Sequence, residues 1–267
     1  MDMTAVYDWF GYEMSDEKRY KLIKNSGFDG VMLWWSSCFG RGDGYKSSAE
    51  LARKAGLYIE NIHAPIERQN DLWLDGINGV AAFDEYLECI ADCAEREIGT
   101  MAVHLPSDDF PCTELGLERV KKIAEFAERY SVNIALENLN NFFNLGYILE
   151  QVDSPRVGFC YDVCHHYNCC PNEDLLAMYG ERLMALHLHD NGGERNQHRL
   201  PFAGKIDWFS VMKKITRTGY SGAAALEPMN WDYTYLTAEE FLRTAFKRAK
   251  SLDDMMSRYI TELYAAV

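Results

Sequence analysis

Eight short apolar segments recur along the chain, at residues 5–10, 30–34, 58–63, 101–105, 133–137, 158–162, 184–189 and 223–227. Each is followed by a stretch with helical spacing, such as Phe83, Leu87, Ile90 and Ala94, or Leu117, Val120, Ile123, Ala124 and Ala127. The last stretch carries Leu242, Ala245, Phe246 and Ala249 behind a capping box, Thr237 to Glu240. Glycines at 27, 56, 99 and 219 are placed to stop helices just before the next strand. A strand feeding a helix eight times, with no long linker, predicts an α/β chain closed as a (β/α)8 barrel. The length of 267 residues suits one such unit, so a single domain over 1–267 is expected. An open doubly wound sheet would carry a GxGxxG turn, and none is present.

Parity within the strands sharpens this expectation. Ile134 and Leu136 face the helices and leave Ala135 and Glu137 inside, because side chains alternate faces along a strand. By the same rule Ala102 and His104, Ala185, His187 and His189, and Ala225 and Glu227 face the lumen. Small residues therefore lie deep, and an ionisable residue sits at the carboxyl end of each of these strands. That end is where such barrels carry chemistry.

The inward strand-end set reads His63, His104, Glu137, Asp162, His187 and Glu227, with His165 and His198 following in loops. Carboxylates and neutral imidazoles converging in a lumen are strongly unfavourable without a cation. A divalent ion relieves the conflict, since these groups are ligands for zinc, manganese and iron.

The segments Asn61-Ile-His-Ala-Pro65, Val103-His-Leu-Pro106, Ala135-Leu-Glu-Asn138, Tyr161-Asp-Val-Cys-His165, Leu186-His-Leu-His-Asp190 and Leu226-Glu-Pro228 resemble the xylose-isomerase-like TIM-barrel superfamily. That superfamily holds sugar-phosphate isomerase/epimerase proteins, ketose 3-epimerases and metal-dependent apurinic-site endonucleases. The resemblance implies that Glu137, Asp162, His187 and Glu227 hold one catalytic divalent metal, manganese or zinc. It gives His63, His104, His165 and His198 as ligands of a second metal or as substrate contacts. The endonuclease branch has a carboxylate where Asn196 stands, and the ketose 3-epimerases have a substrate-binding Glu where Phe143 stands. The loop from Leu200 to Trp208 is similar to that of sugar isomerase/epimerase relatives.

On this reading the chain is a metal-dependent isomerase or epimerase that moves a proton on a metal-chelated keto or hydroxy sugar. Glu137 and Glu227 are the expected acid–base pair on opposite faces of the substrate. Trp34, Trp35 and Trp208 are candidates for an apolar wall against the sugar ring. Arg68, Arg195 and Arg199 fall in loops at the same rim. The alternative is a zinc-dependent apurinic-site endonuclease, a DNA-repair phosphodiesterase. With 27 Lys and Arg against 41 Asp and Glu, the net charge of −14 opposes encounter with nucleic acid or anionic lipid. A carbohydrate is thus the expected partner, with no nucleic acid and no membrane. The start, Met1-Asp2-Met3-Thr4, lacks a secretory pattern, and no CxxC pair occurs among the eight cysteines. Reduced thiols in a cytoplasmic protein are expected, with Cys160 and Cys164 filling tight space in the barrel.

Overall fold

The computed structural model describes residues 3–38, 42–107, 110–194 and 196–265. Eight parallel strands, β1 (Thr4–Tyr7), β2 (Gly30–Trp34), β3 (Tyr58–His63), β4 (Thr100–His104), β5 (Asn133–Glu137), β6 (Val157–Asp162), β7 (Leu183–His187) and β8 (Ala224–Leu226), form one sheet. The order runs from β7 down to β1 and on to β8. Leu188 closes the ring: it pairs in parallel with Leu226, its N–H reaches the Ala225 carbonyl at 2.9 Å, and Glu227 N–H reaches its own carbonyl at 3.1 Å. The helices are α1 (Asp16–Asn25), α2 (Ser48–Lys54), α3 (Ile77–Glu95), α4 (Glu114–Tyr130), α5 (Phe142–Gln151), α6 (Val163–Cys169), α7 (Leu175–Tyr179), α8 (Trp208–Arg217) and α9 (Ala238–Ala265). The fold is the expected (β/α)8 barrel.

The two faces of the strands do different work, as parity requires. Met101, Val103, Ile134, Leu136, Leu186 and Leu226 join the large core between strands and helices. Ala102, Ala135, Cys160 and Ala185 make a separate cluster of small side chains in the lumen. They leave space above them for the strand-end imidazoles and carboxylates.

The capping box is formed: Glu240 N–H donates to Thr237 Oγ1 at 3.2 Å, and Thr237 N–H donates to Glu240 Oε2 at 2.9 Å. Gly27, Gly56 and Gly219 take positive φ behind their helices, as expected. Gly99 does not; Glu97, at φ 54°, takes the left-handed position after α3 instead. Strand β1 ends at Tyr7 rather than at residue 10, where Asp8 accepts from the Tyr20 hydroxyl at 2.9 Å and Gly11 turns the chain at φ 92°. Strand β7 ends at His187, so His189 lies beyond it. No described helix is long and apolar enough to cross a membrane, and all eight cysteines are free.

Candidate active site and metal centre

At the carboxyl ends of the strands the polar set comes together around Glu137. Its Oε2 lies 3.0 Å from His187 Nδ1, 3.3 Å from His104 Nε2 and 3.5 Å from His63 Nε2, and its Oε1 lies 3.9 Å from His165 Nε2. The second focus is Glu227 Oε2, 3.5 Å from His187 Nδ1 and 3.8 Å from His189 Nε2. Asp162, His187 and Glu227 bring one ligand atom each within 4.8 Å of one another, as do His63, His104 and Glu137. All of these residues are buried apart from His104 and His165, which are half-buried.

Proton positions show why the cluster fits a cation. His63 Nδ1–H donates to the Ala64 carbonyl at 2.7 Å, and His104 Nδ1–H donates to Gln69 Oε1 at 2.8 Å. A neutral imidazole has one N–H, so a neutral His63 turns an Nε2 lone pair toward Glu137. Burial pushes His63 down to about 4, which keeps it neutral. Glu137 Oε2, Glu227 Oε2 and His187 Nδ1 are buried without a hydrogen-bond partner. Buried polar atoms without a hydrogen bond are costly, and a divalent cation would satisfy these together. The donor set therefore fits the ion expected from the sequence.

The surrounding groups fix these side chains. The Tyr7 hydroxyl is 3.1 Å from His187 Nε2, and its ring stacks on Trp34, which stacks on His63 with centroids 4.2 Å apart. Asp162 caps α6 by accepting His165 N–H at 2.7 Å, which brings His165 to the site. Asn138 locks the Asp162 backbone, donating to its carbonyl and accepting its N–H, both at 2.8 Å.

The two glutamates are driven apart in acidity. Burial pushes Glu227 up to about 7, with the His187 and His189 imidazoles opposing it. Burial also opposes ionisation of Glu137, but His187 and His104 outweigh it and hold that carboxyl well below its usual range. Asp162 is lowered too, because His189 and His165 outweigh its burial.

Above the cluster opens a cleft of about 380 Å³. Trp34, Glu137, Glu227, His104, His165 and His198 line it, while His63, Asp162 and His187 lie buried beneath it. The expected aromatic wall is corrected in part. Trp35 and Trp208 are buried and spend their indole N–H groups on Asp92 and Asp190, each at 2.8 Å. The second aromatic of the cleft is Trp231, 55% exposed and edge-on to His198. Arg199 pairs with Asp232 at 2.6 Å, and Arg195 lies outside the described residues. His166 is held elsewhere, between the Tyr161 hydroxyl and the Glu173 carbonyl.

Tyr7, Gln69, His189 and Trp231 were not among the site residues expected from the sequence. Tyr7 and His189 share the inward parity of their strands, and that signal was available for both. Gln69 sits in a loop and Trp231 in a single 3-10 turn, Asn230–Asp232, where no periodicity marks them.

A closed eight-stranded barrel with a histidine–carboxylate cluster at the carboxyl ends of its strands is the architecture of one class. The chain belongs to it: the family model of the xylose isomerase-like TIM barrel matches residues 20–247. The inosose isomerase of Bacillus subtilis (strain 168) is 28% identical over 154 residues, 52% of this chain and 54% of that protein. The fructoselysine 3-epimerase of Shigella flexneri is 28% identical over 119 residues, 41% and 43% of the two chains. This chain thus spans about half the length of the curated relatives it matches. Among solved structures, the IOLI protein with a bound zinc atom superposes with a TM-score of 0.78 at 19% identity, covering 96% of this chain and 99% of that one. The D-psicose 3-epimerase of Clostridium cellulolyticum H10 with D-tagatose gives 0.75 at 18% identity, covering 97% and 99%. At these identities the structural likeness concerns the fold.

Proposed function

We propose that this protein is a divalent-metal-dependent sugar isomerase or epimerase, and that one domain carries the reaction. The observation that carries the reading is the buried convergence of polar atoms from Glu137, His187 and Glu227, none of them satisfied by a hydrogen bond. Glu137, Asp162, His187 and Glu227 would hold the ion, zinc or manganese. Bound there, it would polarise a carbonyl and its neighbouring hydroxyl and so acidify the C–H between them. The relatives named inosose isomerase and fructoselysine 3-epimerase support a carbohydrate substrate.

The chain's own residues supply the rest. Glu137 ends β5 and Glu227 follows β8, three strands further round the ring, and both line the cleft, so they reach a bound carbon from different strands. Their separated acidities suit one group that takes a proton and one that gives it. Trp34 offers a flat apolar face, while Gln69, Ser107, Asn140 and His165 surround the cleft with groups able to bind hydroxyls. The test is metal analysis of the purified protein, combined with solvent deuterium uptake into a panel of ketohexoses, fructosamines and inososes. Uptake at one carbon in the presence of zinc or manganese is the expected outcome. A metal-free protein that labels no member of the panel defeats the proposal.

One observation favours a second reading. His63 and His104 converge on Glu137 beside the first ligand set, as a site for more than one ion would require. A repair phosphodiesterase with clustered zinc is the corresponding function. Against it stands Asn196, a neutral amide at the wall of the cleft, and the acidic charge of the chain.

A further inference from the structure

His189 lies outside the four proposed ligands, yet it is only 1% exposed. Its Nε2 is 2.9 Å from Asp162 Oδ2. A carboxylate accepts, so Nε2–H is the donor. The other oxygen of Asp162 accepts the His165 N–H at 2.7 Å, so the carboxylate is held at both oxygens. The His189 ring lies face to face on His198, with centroids 4.1 Å apart and planes 1° from parallel. His198 is anchored in turn, its Nδ1–H donating to the Glu227 carbonyl at 3.1 Å.

Parallel stacking decides what this pair does. An imidazole lone pair lies in the plane of its ring, so two rings stacked face to face do not aim at a common ion. With Nε2 committed to Asp162, His189 acts on the carboxylate. We propose that His189 is the positioning residue of the metal centre: it fixes the Asp162 carboxylate, and through the stacked His198 it ties that carboxylate to Glu227 and to the wall of the cleft. This inference rests on the metal-centre reading above. Groups that orient ligating carboxylates typically change metal affinity by about 10- to 100-fold when removed.

The experiment uses the full chain and zinc alone, with affinity read by competition against a chromophoric chelator. His189→Phe keeps a flat ring against His198 and loses the donor; His189→Gln restores an N–H donor. Zinc affinity should fall about 10- to 100-fold in His189→Phe and largely recover in His189→Gln. Stoichiometry at saturating zinc should stay at the wild-type value. The visible spectrum of the cobalt-substituted protein should shift in the Phe variant and return toward wild type in the Gln variant. His198→Leu removes the stacked partner but keeps the donor, and should weaken zinc a few-fold. His189→Phe binding zinc as tightly as wild type, or His189→Gln as weak as His189→Phe, overturns the assignment. If the Phe variant does not fold, wild-type affinity in His198→Leu overturns the coupling. A wild-type chain that binds no divalent ion overturns the underlying metal reading instead.

Discussion

His187 Nδ1 and Glu137 Oε2 are 3.0 Å apart, buried, and not aligned as a hydrogen bond. Two polar atoms at this distance usually make a hydrogen bond, and this pair is not oriented for one. Together with Glu227 Oε2, 3.5 Å from the same nitrogen, they gather buried polar atoms that no hydrogen bond satisfies. The site is therefore held together at a cost to the fold, and binding a cation removes that cost.

The pH dependence of the chelator-treated protein follows from this. Glu227 is held up to about 7 by burial; His165 is held up to about 9, where Asp162 outweighs burial. His187 and His189 are raised as well, with their carboxylate and thiol neighbours outweighing burial. For each of these groups the folded chain binds protons more tightly than the unfolded chain. Their stabilisation is complete below the unfolded values and is lost as pH rises through the folded ones. His63 and His198, lowered by burial to about 4 and about 3, are neutral in both states above about pH 6.5 and do not contribute there. Thermal stability of the chelated protein should thus fall between about pH 6.5 and 8.5. Zinc should reverse the trend, because its binding displaces those protons. A flat or rising melting temperature over this window in chelator contradicts the assignment.

Glu137→Gln and Glu227→Gln each retain an oxygen near the proposed ion and lose a proton acceptor. Turnover should drop by about 100-fold or more in at least one of them, the usual contribution of general acid–base catalysis. The measurement is deuterium exchange into substrate, with bound metal quantified on the same samples. Full metal occupancy with wild-type exchange in both variants would remove the two-carboxylate mechanism.

The barrel and most of the site were legible in the sequence for one physical reason: a parallel strand alternates faces, and a closed barrel gives the two faces different solvents. That rule places Ala102, Ala135 and Ala185 in the lumen and Glu137, His104 and His187 above them, as found. It is silent wherever the backbone leaves the strand. Trp35 is a candidate for the cleft wall beside Trp34, but it points the other way and binds Asp92. Trp231 follows β8 in a short turn, where position depends on Arg199 holding Asp232 and on no periodic signal. Gly99 was expected to stop α3 because glycine is the common choice, yet Glu97 meets the geometric need two residues earlier.

Stability can be tested away from the site at Gly116, in the first turn of α4. A Cβ added there would lie 2.1 Å from the ring of Trp73, which is buried and whose flanking carbonyls at Leu72 and Leu74 are held by Arg119. Alanine is better than glycine in a helix by about 1 kcal/mol, while overpacking costs about 1–3 kcal/mol. Gly116→Ala should therefore lose stability on balance, by roughly 1 kcal/mol. The check is the urea midpoint at constant m-value; a midpoint at or above wild type would show that Trp73 can shift freely.

Asn196 separates the two functional readings. It lines the cleft with His165 and His198 and takes a left-handed backbone at φ 53°, a conformation that aspartate also tolerates. A neutral amide is a weak zinc ligand. Replacing Asn196 by Asp adds a carboxylate where a clustered zinc site would need one, without asking the chain to change course. The variant should bind more zinc per chain than wild type if the corner is otherwise arranged for an ion. The wild-type protein, in zinc-containing buffer, should leave an abasic DNA duplex intact. Efficient wild-type cleavage of that duplex would reverse the ranking in favour of the phosphodiesterase, and unchanged zinc stoichiometry in Asn196→Asp would show that this corner serves substrate alone.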